Sequence, residues 1–191
     1  MIDFKPVRAG EKTMQQLAAA LTIEDLADLT NEMVDAQLAA IADAVDADVT
    51  FVPEDPGAND TFATDPSVVN LSWNLGHVLV HATASSEESA ALALTLARGL
   101  DVTGRSRYET PWEEATTVEF VRHRLEDSRR MRLAMLEAWP SPPHLDNYYR
   151  VSEERPPMNA QARFLSGLSH DDSHLGQIRA IMAQGRTKNS R

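Results

Sequence analysis

The chain contains no cysteine. That excludes disulfides, thiolate metal ligands and a cysteine nucleophile, though it does not decide the compartment. Positive charge is also scarce: 18 Lys and Arg stand against 29 Asp and Glu, for a net charge of -11. An acidic surface repels phosphate backbones, so nucleic acid is not an expected partner. No run approaches the roughly 20 unbroken apolar residues of a membrane-crossing helix, so no membrane partner is expected either. The opening MIDFKPVRAGEK lacks the basic start and apolar stretch of an export signal, which makes the cytoplasm the expected location. Strand signals are sparse, and no internal repeat is visible.

What is present is helical periodicity. The 191 residues, 42% hydrophobic and 25% charged, suit one globular domain (1–191) with a real core. Thr22 followed by Asp25 predicts a helix start, although Glu or Gln is the usual third residue of a capping box. Leu26, Leu29, Met33, Leu38, Ile41 and Val45 then recur at helical spacing. Residues 49–67, rich in Pro, Gly and Asp, predict a long connection. A second helix is predicted from near Ser72 to Ala97, with Gly99 as its stop. A linker, Asp101 to Trp112, leads to a third helix from Thr116 or Thr117 to just before Pro140. Residues 141–157 predict another long loop. The fourth helix runs from Ala160 to about Gln184, with Gly185 ending it and 186–191 as a flexible tail. The expected fold is all-α: a four-helix bundle with a core over about 22–185 and long loops after helices one and three.

Six histidines are present. His123, in a charged run, and His144, in a proline-rich loop, read as solvated. The other four form two i, i+4 pairs, His77/His81 and His170/His174. Such spacing puts both rings on one helix face, where both can reach one ion. On a helical wheel, Phe164, Leu168, Leu175 and Met182 form the core stripe of the fourth helix, with His170, His174, Gln177 and Ile181 on its shoulder. On the second helix, Leu75, Val78, Leu92 and Leu96 form the stripe, with His77, His81 and Glu88 along its edge. Metal sites in helical bundles are built from such facing positions. The plain alternative is that these histidines merely pack and that Glu88 is one more exposed charge. A zinc-protease reading of His170–His174 fails, because Asp171 stands where that motif needs Glu. Asp171 falls near the apolar stripe, which suggests a partner that orients a ligating histidine.

The stretch SWNLGHVLVHATASSEE (Ser72–Glu88) resembles the second helix of the DinB/YfiT superfamily, in which a metal-binding histidine follows the tryptophan by eight residues. LSHDDSHLGQI resembles that family's closing signature. The resemblance covers about Leu26 to Gln184 and implies a four-helix bundle with a metal triad of His81, His170 and His174. His77 is off the usual ligand position and would line the cleft or serve the structure, though it faces the right way to be a ligand. An all-nitrogen set suits zinc or nickel, with positions left open for a small-molecule substrate. The resemblance implies a metal-dependent enzyme activating a low-molecular-weight thiol for S-transfer. Its alternatives are a hydrolase using metal-bound hydroxide and a non-enzymatic metal-binding stress-response protein. It also implies pairing as a homodimer. Tyr108, Trp112, Tyr148 and Tyr149 would wall the cleft or pin the loops, and Arg105 and Arg107 would meet the carboxylates of an anionic thiol.

Overall fold

The computed structural model describes residues 1–59, 66–105 and 107–189. Residues 60–65 of the first long connection, Ser106 of the second linker and the last two residues of the tail lie outside the described residues. Four long helices dominate: α3 (Ile23–Ala40), α5 (Leu75–Ala97), α6 (Val118–Glu137) and α7 (Ala160–Asn189). Three short ones accompany them, α1 (Lys5–Arg8), α2 (Met14–Ala18) and α4 (Asp46–Thr50). Among the described residues no strand forms, and Tyr149 and Met158 make an isolated antiparallel bridge. No described helix is long and apolar enough to cross a membrane.

The helix starts follow their caps. The Thr22 side chain accepts from Asp25 N at 3.1 Å while Asp25 reaches back to Thr22 N at 2.8 Å, so aspartate closes the capping box. Asn74 caps α5 by accepting from His77 N at 2.8 Å. Trp73 therefore stands just outside the helix, rather than inside one that starts at Ser72. Thr117 caps α6. Gly99, at φ 74°, takes the left-handed conformation that ends α5.

Two predicted ends differ. α3 stops at Ala40, and Val45 is exposed just before α4, where Asp48 binds Val45 N at 3.0 Å. The first long connection is thus part helix. α7 passes through Gly185 and continues to Asn189, so the helix does not end at the predicted stop. Gly185 serves contact instead: a Cβ there would lie 2.8 Å from Asp48 Oδ1.

Each long helix packs on two others, giving the order α3–α6–α5–α7 around the bundle. Two clusters fill its ends. One joins the start of α3 (Leu26) and of α7 (Leu165) to the ends of α5 (Leu96) and α6 (Leu136). The other joins the end of α3 (Ile41) and of α7 (Ile178) to the starts of α5 (Leu79) and α6 (Leu125). So α5 and α6, adjacent in space and in sequence, run parallel. Their connection (98–117) must travel the length of the bundle, whereas the connections after α3 and α6 return at the same end.

That connection lies along α5 in the opposite direction. Arg105 meets Glu88, Arg107 meets Ser85, and Trp112 stacks on His77. Finally Ala115 O sits 2.3 Å from where a Gly76 Cβ would be, so only glycine fits there.

The α5–α7 seam is tight for a similar reason. A Cβ on Gly167 would stand 2.8 Å from Ser89 Cβ and 3.2 Å from Ser86 Cα. One turn on, Asp171 Oδ1 lies 2.7 Å from Ser86 Oγ and Asp171 Oδ2 accepts from Arg132 Nη1 at 2.7 Å. Both charged residues are 1% exposed. Removing Asp171 would leave a buried guanidinium without its counter-charge, at a cost of about 3–5 kcal/mol. Asp171→Ala should therefore lower the unfolding free energy extracted from urea denaturation by that much. Arg132→Met with Asp171→Leu should recover most of the loss, and full stability of the single variant would refute the pairing's role.

Candidate metal centre

α5 and α7 each bring one histidine pair to the seam, but the four rings do not act alike. One ring nitrogen from each of His81, His170 and His174 lies within 4.8 Å of the others. The ring centroids are 5.1 Å apart for His81–His170, 5.3 Å for His81–His174 and 4.6 Å for His170–His174. His77 is outside this group. It is stacked between Trp73, at 4.2 Å, and Trp112, at 5.2 Å with planes 8° apart. The stacking joins the crossing connection to the start of α5, and His77 also lines the cavity beside the cluster.

Hydrogen bonds orient two of the three rings. His174 Nδ1 lies 2.8 Å from Gln177 Oε1, an acceptor, so that nitrogen carries the proton and Nε2 keeps its lone pair. His81 Nδ1 faces Glu109 Oε1 at 3.5 Å, with Arg107 Nη2 at 3.3 Å. A donor and an acceptor thus both meet this nitrogen, and together they hold the ring's outer edge. His170 Nδ1 is buried with no hydrogen-bond partner. An orphaned imidazole nitrogen inside a protein is uncommon and marks a position awaiting a partner.

Burial favours the neutral form of His170 and His174. Burial, then the neighbouring His174, His81 and Arg107, push His170 down to about 3, against the pull of Glu109. Burial also lowers His174, opposed by Gln177. Burial would raise Glu109, but hydrogen bonds from His81 and Arg107, and their charges, hold it down at about 2. Two neutral imidazoles, His170 and His174, near an ionised carboxylate form a donor set suited to a cation.

The three-histidine cluster opens on a cavity of about 500 Å³, lined by His81 and His170 and walled by Trp73, Glu88, Arg107 and Arg163 among others. Glu88 is buried, not an exposed charge: Arg105 Nε and Nη2 bind its two oxygens at 2.7 and 2.8 Å. Arg107 donates to Ser85 at 2.6 Å and pairs with Glu109. Both arginines predicted to meet an anion therefore already hold carboxylates of this chain.

Several predicted residues lie elsewhere. Asp171 spends its oxygens on Ser86 and Arg132, so it ties helices together rather than orienting a histidine; Glu109 is the carboxylate behind His81. His123 and His144 are exposed. Tyr108 and Tyr148 are exposed too, while Tyr149 packs on the core. The reading of the sequence missed Glu109 and Arg163. Glu109 sits in an irregular connection with no periodic pattern to mark it. Arg163 did carry a signal, lying seven residues, or two turns, before His170.

The DinB superfamily profile matches residues 20–178, and the chain belongs to that superfamily. Neither the curated proteins nor the solved structures gave a match.

The lowered His170 has a measurable consequence. Unfolded, it titrates near 6.5; folded, near 3. Between those values the unfolded state binds the proton that the folded one refuses, so acid favours unfolding. The stability of the metal-free chain should be flat above about pH 6.5 and fall as pH drops towards 3. Glu109 adds to the loss below 4.5, its ordinary value. Denaturant midpoints across that window test this, and His170→Gln should flatten the upper part of the slope. An unchanged slope in that variant would count against a buried, neutral His170.

Proposed function

We propose that His81, His170 and His174 hold one divalent transition-metal ion, zinc or nickel, and that the chain is a metal-dependent enzyme acting on a low-molecular-weight thiol. The observation that carries this is the three-histidine cluster opening on a cavity. Three nitrogen ligands leave coordination positions unfilled, which is the pattern of a reactive centre rather than a purely structural one. The orphaned Nδ1 of His170 and the preset tautomer of His174 fit such an ion. When bound, the ion would supply Lewis acidity, lowering the pKa of a thiol.

The rest is work for the chain's own groups. Glu109 and Arg107, both beside His81 Nδ1, hold that edge of the ring and so aim its other nitrogen into the cluster. Arg107 keeps Glu109 ionised and in place. Trp73, against the rings of His77 and His81, excludes water from one wall. Three arginines and two glutamates line the cavity, leaving an excess of positive charge that suits an anionic substrate. With no cysteine in the chain, the sulfur for S-transfer has to arrive with the substrate.

Metal content per chain, measured in protein purified without an affinity tag, tests the centre. Wild type should carry about one equivalent, and His81→Ala, His170→Ala and His174→Ala should each lose it. His77→Ala should keep the metal; loss there with retention in His81→Ala would reassign the ligand. Glu109→Gln should weaken metal binding about 10–100-fold.

Turnover of electrophiles with and without added thiol tests the reaction. Thiol-dependent product supports S-transfer. Hydrolysis that proceeds equally without thiol would replace it with the hydrolase reading.

A further inference from the structure

Arg163, Ser166 and His170 recur along one face of α7, and all three line the cavity beside the histidines. Arg163 and Ser166 also line a second cavity of about 740 Å³, which lies between the N-terminal segment around Lys12–Gln15 and the loop before α7. The two residues therefore line both cavities.

Arg163 differs from the other arginines of the cleft. Arg105 is paired with Glu88 and Arg107 with Glu109, whereas among the described residues Arg163 forms no salt bridge. Among the described residues its side chain makes one hydrogen bond, from Nη1 to Ser166 Oγ at 3.3 Å, and its Nε is buried without an acceptor. Burial pushes its pKa below the ordinary arginine value while Glu88 pulls the other way. The second cavity adds Lys12 and Arg155 against Glu154. The two cavities together thus hold more cations than anions.

The helix sets a length. Seven residues separate Arg163 from His170, a rise of about 10 Å. That is the span of roughly three extended residues. A guanidinium fork matches a carboxylate with two parallel hydrogen bonds, which a lysine does not reproduce.

We propose that Arg163 is the specificity-determining anion anchor of this site, receiving a carboxylate of an elongated small molecule that reaches from the histidines along α7 to this residue. The proposal deepens the thiol-enzyme reading and rests on it only for which end of the molecule reacts. Anion binding at Arg163 does not itself require the metal.

The test uses S-methylglutathione, which has tripeptide length, two carboxylates and a capped sulfur, beside its diethyl ester. Each is titrated calorimetrically into the protein as purified and after chelation, with metal counted in every sample. Wild type should bind the acid at least about tenfold tighter than the ester in both states. Arg163→Gln should abolish that preference at unchanged metal content and melting temperature. Arg163→Lys, which keeps the charge, should retain only part of it. Equal binding of acid and ester by wild type, no binding of the acid, or a preference that survives Arg163→Gln would overturn the anchor. A chain that never holds metal yet shows the Arg163-dependent preference would overturn the metal-centre reading and leave the anchor standing.

Discussion

The close approach of α5 and α7 governs nearly everything else in this molecule. Gly167 has no Cβ to hold Ser86 and Ser89 away, so the two backbones meet. Ser86 Oγ, 3.0 Å from Gly167 O and 2.7 Å from Asp171 Oδ1, locks the register along the helix axes. Arg132 reaches in from α6 to neutralise Asp171. A buried carboxylate needs such partners, and having them at only one register makes the alignment specific. His81 lies five residues before Ser86, and His170 and His174 flank Asp171. Once the seam is in register, the histidines have little freedom to miss one another.

The same desolvation that makes this seam costly for charge defines the chemistry beside it. Buried imidazoles resist protonation, and a neutral ring is the form that offers a lone pair. Glu109 stays ionised in the same surroundings because His81 and Arg107 supply compensating donors. Charges in the cleft are therefore paired along the crossing connection: Arg105 with Glu88, Arg107 with Glu109. Arg163, on the α7 side, is left outside that pairing.

Topology explains why the connection carries so much. Because α5 and α6 run parallel, the chain between them has to travel from one end of the bundle to the other. It does so over α5, fastened at Glu88, Ser85, His81, His77 and Gly76 in turn. A short turn would have exposed the cleft. A long one covers it and brings polar groups to the histidines.

Local signals were readable in the amino-acid order because they act over one or two turns. The helical period placed the four long helices, Thr22, Thr117 and Gly99 marked ends, and the i, i+4 histidines showed two faces. The short helices α1, α2 and α4 were not readable, since a few residues cannot offset the cost of helix nucleation without tertiary packing. Gly185 read as a stop because glycine usually is one, yet contact with Asp48 put it inside α7. Asp171 read as a helper of histidine, and only the position of Arg132 on another helix decided otherwise. By itself the sequence determined an acidic, cysteine-free helical chain with two histidine-bearing faces. The family resemblance in the sequence already named His81, His170 and His174, whereas tertiary structure alone decided that His77 is held between tryptophans and that Glu109 stands behind His81. Those choices depend on contacts between residues far apart in the chain, and periodicity carries no information about them.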